Sequence, residues 1–304
     1  MKSRNNHLLA YAALGVGVLA LGFSPIFVRW ANAPGPVTSF YRMLVAVIIL
    51  AWPFAHQARS KERLARKGIW MAVLGGVFFA ADLASWTSGV NLGGATNPTL
   101  LANTAPLWVG LGAWFFFREK LDSLFWIGLS VAMAGAVFIL GVETLDSLEF
   151  GLGSLLGLVS GVFFGAYFLL AQRGRESLSA LSYFWISALV SAIALLGLSL
   201  AFGHPLVGYS AFTYWNFLLM GVVSQAIGYL AINYALGHLP ASIVSPTLLG
   251  QPVVAALLAG PLLGEQLTVP KMIGGVIVLL GVLVIHRSGR RTDSHSRLVQ
   301  PIDP

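Results

Sequence analysis

Apolar positions fill this chain in runs of about twenty, and polar positions gather in short links between them. A helix that crosses a bilayer needs about 20 mostly apolar residues. The runs predict ten such helices, roughly 8–29, 36–55, 68–90, 97–117, 123–142, 150–172, 179–202, 212–236, 241–262 and 269–286. The longest polar link, HQARSKERLARKG at 56–68, leaves no room for a soluble domain. The first run lacks an A-x-A-like site behind it and leads straight into a second, so it reads as a retained anchor and not a cleaved signal peptide. Residues 288–304 are polar and are expected to form a disordered cytoplasmic tail.

The pattern repeats. APLWVGLGAWFFFREKL at 105–121 matches QPVVAALLAGPLLGEQL at 251–267. Pro106 corresponds to Pro252, Glu119 to Glu265, Leu121 to Leu267, Gly128 to Gly274 and Gly135 to Gly281, all at an offset of 146. NPTLL at 97–101 matches SPTLL at 245–249 at an offset of 148, so the copies differ by two residues there. The repeat divides the chain into residues 1–146 and 147–287, with five helices in each. An odd number of crossings turns the second copy upside down. The expected fold is therefore an all-α integral membrane protein, ten transmembrane helices forming two inverted five-helix repeats. Inverted repeats about an axis in the membrane plane are a recurrent transporter design, because one set of packings can open to either side of a midplane site.

Ten helices in two halves, each ending in a P…E-x-L…G…G string, resemble the EamA-type carriers of the drug/metabolite transporter superfamily. The resemblance covers about residues 8–286. Within that superfamily, overall similarity and aromatic content resemble the YddG-type exporters of aromatic amino acids. The resemblance implies a central cavity between the halves, export from the cytoplasm, and packing or rocking roles for Pro106 and Pro252.

Composition narrows the class further. The chain is 57% hydrophobic and 10% charged, against roughly 25% charged for a soluble domain. Fifteen of the eighteen Lys and Arg residues fall on the side of the predicted bundle that carries both termini. Arg29, Arg42 and Lys271 are the exceptions, and the opposite side receives Glu143, Asp146 and Glu149. Positive loops mark the cytoplasm, so both termini are expected there, in the inner membrane. The net charge of +7 is a juxtamembrane distribution and not a nucleic-acid face. Cysteine is absent, which excludes disulfides and thiolate chemistry. No Walker-type phosphate loop and no paired-histidine motif occur, so neither ATP drive nor a metal enzyme is expected, and no cofactor or metal is called for. The expected partners are a small-molecule substrate and the bilayer, and the chain is compatible with a monomer.

Ionisable residues inside a span are costly and mark function by default. Asp82 is the acid well inside a span and Arg42 the deep base. Asp82 lies about 21 Å above the cytoplasmic edge and Arg42 about 9 Å below the outer one at 1.5 Å per residue, which puts them at one depth in a core about 30 Å thick. They are expected to pair, either as a structural tie between the second and third helices or as a cavity-facing site for the carboxylate and ammonium of an amino acid. Polar stripes at helical spacing add Phe78, Asp82 and Ser85 on the third helix, flanked by Trp86. Asn103 follows on the fourth, Gln225, Tyr229 and Asn233 on the eighth, and Gln251 on the ninth. Such side chains face inward, to line a wet cavity or to bond across helices. Trp108, Phe163, Tyr167 and Trp185 stand at mid-depth and offer rings for a flat substrate or for packing. Gly153, Gly157, Gly161 and Gly165 give the sixth helix one smooth face for close helix approach. Glu119 and Glu265 close the fourth and ninth helices, either as gate latches or proton sites or as caps on the next helix.

These residues point to a secondary membrane transporter, not an enzyme, exporting small amphipathic metabolites by alternating access. Aromatic or other apolar amino acids come first as cargo. A carrier for another metabolite or a drug-like cation, or a membrane channel, are the alternatives.

Overall fold

The computed structural model describes residues 2–59, 65–93, 96–140, 151–264 and 267–298. Glu265, the acidic link at 143–149, Lys61, Arg63, the boundary between the halves at 146–147 and residues 299–304 lie outside them.

Every regular element among the described residues is helical. The first half comprises α1 (Lys2–Gly22), α2 (Ser24–Ala31), α3 (Gly35–Arg59), α4 (Arg66–Gly93), α5 (Thr96–Ala102), α6 (Ala105–Phe116) and α7 (Ser123–Leu140). The second comprises α8 (Leu152–Gly174), α9 (Ala180–Ala201), α10 (Ala211–Leu219), a π-helical segment Met220–Tyr229, α11 (Leu230–Leu236), α12 (Ala241–Thr247), α13 (Gly250–Leu263) and α14 (Val269–Leu298). The surface is apolar where lipid would lie, with Trp52 77% and Phe115 70% exposed. Soluble proteins rarely expose such a belt. The chain is a multi-pass membrane protein.

Nine helices among the described residues are long and apolar enough to cross a membrane, against ten expected. The difference is the fourth span. It is broken at Asn103–Thr104 into α5, of 7 residues, and α6, of 12. Proline explains the break, because Pro106 cannot donate to the carbonyl of Ala102 four residues back. The ninth span breaks in the matching place, at Leu248–Leu249 between α12 and α13, where Pro252 leaves the carbonyl of Leu248 to the N–H of Gln251 at 2.9 Å. The last helix departs from expectation at its other end. It runs to Leu298, so the stretch from 288 expected to be disordered is helical as far as it is described; no proline stands between Pro270 and Pro301 to stop it.

The two halves meet along α7 and α14. A Cβ on Gly128 would lie 2.9 Å from the carbonyl oxygen of Gly281, and one on Gly135 would lie 2.7 Å from that of Gly274. Only hydrogen fits at such a crossing. Each glycine thus faces the counterpart of the other, which is the contact pattern of a two-fold axis. The helices run antiparallel there, so the axis lies in the membrane plane and the repeats are inverted. The glycine face of α8 receives the broken fourth span in the same manner. A Cβ on Gly157 would sit 2.5 Å from the backbone of Pro98, one on Gly161 would sit 3.0 Å from the carbonyl of Leu101, and one on Gly165 would sit 2.9 Å from the Cβ of Trp108. Gly153 meets α4, where its carbonyl lies 2.8 Å from a Cβ built on Gly89.

Gly135→Ala forces a methyl group against backbone atoms. It is expected to destabilise the protein by about 1–3 kcal/mol, the usual range for overpacking. Gly197→Ala, which meets nothing within 4 Å, is the neutral control. Thermal unfolding of both variants in detergent checks the pair.

Candidate functional site

The bundle has two ends. The ends of α6 and α8, the start of α12 and the polar end of α14 gather at one, called the near face. The α2–α3 turn, the 202–210 connection and the start of α14 mark the far face. Between them lies a cavity of about 490 Å³. Its far-face rim includes Arg29, Leu140, Leu263 and Lys271, and its deep end reaches Asp82, Ser160, Phe164 and Tyr229.

Asp82 projects from α4 and is 7% exposed. Ser160 of α8 donates its Oγ hydrogen to Asp82 Oδ1 at 2.6 Å. One turn along α4, Trp86 donates its indole N–H to Thr99 Oγ1 of α5 at 3.0 Å, so both polar tips face the cavity without an orphan donor. Asn103 and Gln251 also line it. Asn103 sits at the break of the fourth span and Gln251 in the first turn after the break of the ninth. Broken helices meeting at mid-membrane are a known way to build a binding site. The facing wall is α13, with Pro252, Ala255, Ala256 and Ala259.

Five of the residues expected at a binding site therefore share one cavity: Asp82, Trp86, Asn103, Tyr229 and Gln251. The others stand elsewhere. Arg42 is 5% exposed and does not pair with Asp82, since no ion pair joins them within 4.0 Å. With its amide oxygen turned toward the guanidinium, Gln225 accepts from both Nε and Nη2 of Arg42. The two charges still act on each other and on Tyr229. Equal depth carried no information on lateral position. Gln225, Tyr229 and Asn233 are all buried but meet different partners. Gln225 turns to Arg42, Tyr229 to the cavity, and Asn233 to Tyr167, donating to its hydroxyl at 2.9 Å.

Phe78 and Phe163 pair at 5.8 Å between ring centres, outside the cavity wall at the α4–α8 seam, and Ser85 is half-buried off the lining. Trp108 bonds to Thr104 Oγ1 at 3.1 Å and lies over Gly165. Trp185 is not at mid-depth. It lies in the first turns of α9, stacked on Phe54 at 4.1 Å and donating to the carbonyl of Val47. Ser160 and Phe164, which do line the cavity, were missed. Their signal was spacing four along α8, masked by the glycines that flank them.

The near face is closed in layers. Beneath Asp82, Phe79 stacks on Tyr167 at 4.5 Å and meets Tyr229 at 4.8 Å, all three buried. The Tyr167–Asn233 bond follows. Then Glu119, from the first half, accepts from Ser242 Oγ at 2.6 Å and from Gln172 Nε2 at 3.4 Å, both in the second half. Gln172 Oε1 in turn accepts from the N–H of Ala241 at 2.6 Å. Glu119 thus ties the halves together and does not cap α7. Asp122 does that, accepting from the N–H of Phe125 at 2.9 Å.

The sequence pattern of the EamA-like transporter family matches this chain twice, over residues 8–141 and 151–287. The chain belongs to the EamA-like transporter family. This EamA-like transporter is 24% identical over 273 residues to an uncharacterized transporter of Clostridium kluyveri, 87% of each chain being covered. It is 24% identical over 277 residues to an uncharacterized transporter of Archaeoglobus fulgidus, covering 91% of this chain and 96% of that one. A solved crystal structure superposes with a TM-score of 0.77 at 17% identity, over 94% of this chain and 99% of the other, which shows a shared fold.

Gln225→Leu strips the buried Arg42 guanidinium of its acceptor. Hydrogen bonds to charged groups contribute about 1.5–3 kcal/mol, and a loss of that order is expected in the unfolding of the EamA-like transporter in detergent. Trp185→Phe, losing one neutral bond near the membrane edge, should cost less.

Proposed function

We propose that this transporter is a secondary carrier that exports small amphipathic metabolites, aromatic or other apolar amino acids foremost, by alternating access. The observation that carries the reading is the cavity of about 490 Å³ between inverted halves, apolar over most of its wall but holding, among the described residues, one carboxylate, Asp82. Pockets of about 300–1,000 Å³ suit small molecules. Trp86, Phe164 and Tyr229 offer ring faces, and Asp82 with the amides of Asn103 and Gln251 offers polar anchors for an ammonium or carboxylate. The bias of Lys and Arg toward the near face supports a cytoplasmic placement for that face and for both termini, in the inner membrane. On that orientation the cavity opens outward and the Glu119 tie seals the cytoplasmic side. Inversion of the halves supplies the opposite state, in which Glu265 would hold the outer side shut. A second reading, export of drug-like cations, draws on the same Asp82 carboxylate.

Proteoliposomes loaded with unlabelled amino acid and given a labelled panel of aromatic and aliphatic amino acids and amphipathic cations separate these readings. Saturable counterflow of the aromatic amino acids is expected. Counterflow of cations alone moves the substrate class, and flux that never saturates removes the carrier reading in favour of a channel.

The chain has no native cysteine, so Ala256→Cys places a single thiol in the cavity. An impermeant maleimide added outside should modify it in the resting protein. Adding Glu119→Gln, which weakens the cytoplasmic tie, should slow that modification several-fold as the population shifts toward the inward-open state. An unchanged rate would falsify the latch role of Glu119.

A further inference from the structure

Asp82 is a carboxylate at the deep end of a cavity with no cation within 4.0 Å among the described residues. Its hydrogen-bond donor is the neutral hydroxyl of Ser160 on α8, at 2.6 Å. The charged and titratable groups that act on it are Arg42 on α3, whose guanidinium is turned to Gln225, and Tyr229 on the π-helical segment. Leu83 and Phe164 supply apolar wall beside it. A carboxylate in such surroundings needs a positive partner to stay ionised, because unpaired buried charge is strongly disfavoured. Two partners can reach it through the cavity: a proton or the ammonium group of a cargo molecule. They bind the same oxygens and exclude each other.

We propose that Asp82 is an exchange site at which a substrate ammonium and a proton compete, making this carrier an antiporter. The inference rests on the transporter reading and names its energy source. When the cavity faces the cytoplasm, an ammonium-bearing molecule binds Asp82 and the carboxyl proton leaves to the cytoplasm. When it faces outward, the ammonium departs and a proton from outside takes its place on Asp82. One proton enters for each cargo molecule that leaves, and no covalent bond is made beyond the O–H bond. Ser160 holds Oδ1 in place through both halves of the cycle, leaving Oδ2 to the exchanging partner. The recognised chemistry is a primary amine on an apolar or aromatic body.

The test uses the full-length wild-type protein and three indole compounds: tryptophan, tryptamine, which keeps the amine and lacks the carboxylate, and indole-3-propionate, which keeps the carboxylate and lacks the amine. In weakly buffered detergent solution with a pH indicator, tryptophan and tryptamine should each release up to one proton per molecule bound, and indole-3-propionate none. In proteoliposomes, an inward proton gradient should drive tryptamine out several-fold faster than no gradient. Asp82→Asn should abolish the proton release and the response to the gradient and weaken tryptamine binding, and Asp82→Glu should retain proton release. Should Asp82→Asn fail to fold, the three-compound comparison on the wild type decides alone. Saturable flux that ignores the gradient, or equal proton release with indole-3-propionate, overturns the antiport site and leaves the carrier standing. Absence of saturable flux for every compound in the earlier amino-acid and cation panel overturns the carrier reading itself.

Discussion

The arrangement of the two halves rests on the meeting of four glycines on α7 and α14. Gly128 lies against Gly281 and Gly135 against Gly274, at a spacing that no side chain tolerates. In lipid there is no hydrophobic force to draw helices together, and close backbone packing supplies much of the attraction. Here the packing also fixes geometry. Two helices of opposite direction, each presenting the same pair of glycines, can cross that closely only about a two-fold axis. Once the axis is set, the fourth and ninth spans fall on opposite walls, their breaks face the same space, and the cavity lies between them.

The polar interior then divides by purpose. Arg42 with Gln225, and Tyr167 with Asn233, are bonded pairs within the packed part of the bundle. Asp82, Trp86, Thr99, Asn103 and Gln251 instead border open space. All occupy a region where an unsatisfied polar group is expensive, but only the second group keeps capacity for a ligand. Glu119 belongs to neither set. It binds across the halves at the edge of the bundle, where a change in how they sit must break it.

Much of this was legible from the chain alone. The spans follow from apolar run length, and the repeat from a proline, a glutamate and glycines at one offset. Lateral position was not legible. Depth along a helix predicted Arg42 and Asp82 together, yet rotation about their helices separates their partners. The break in the fourth span was not legible from run length, because Pro106 acts on a carbonyl one turn back. Spacing four marked Gln225, Tyr229 and Asn233 as inward-facing, but could not say that Tyr229 alone of the three reaches the cavity. Ser160 escaped notice because a hydroxyl among glycines carries no pattern of its own; of the two readings of Glu119, latch or cap, the cap belongs to Asp122, three residues on.

Asn233 has a further consequence. Its amide nitrogen donates to the hydroxyl of Tyr167 and to the carbonyl of Tyr229, but its side-chain oxygen is buried with no donor. An acceptor left so is worth about 1–3 kcal/mol against the arrangement that leaves it. The closed near face therefore carries a built-in local cost at Asn233. Asn233 thus holds Tyr167 and Tyr229 together at the expense of its own acceptor.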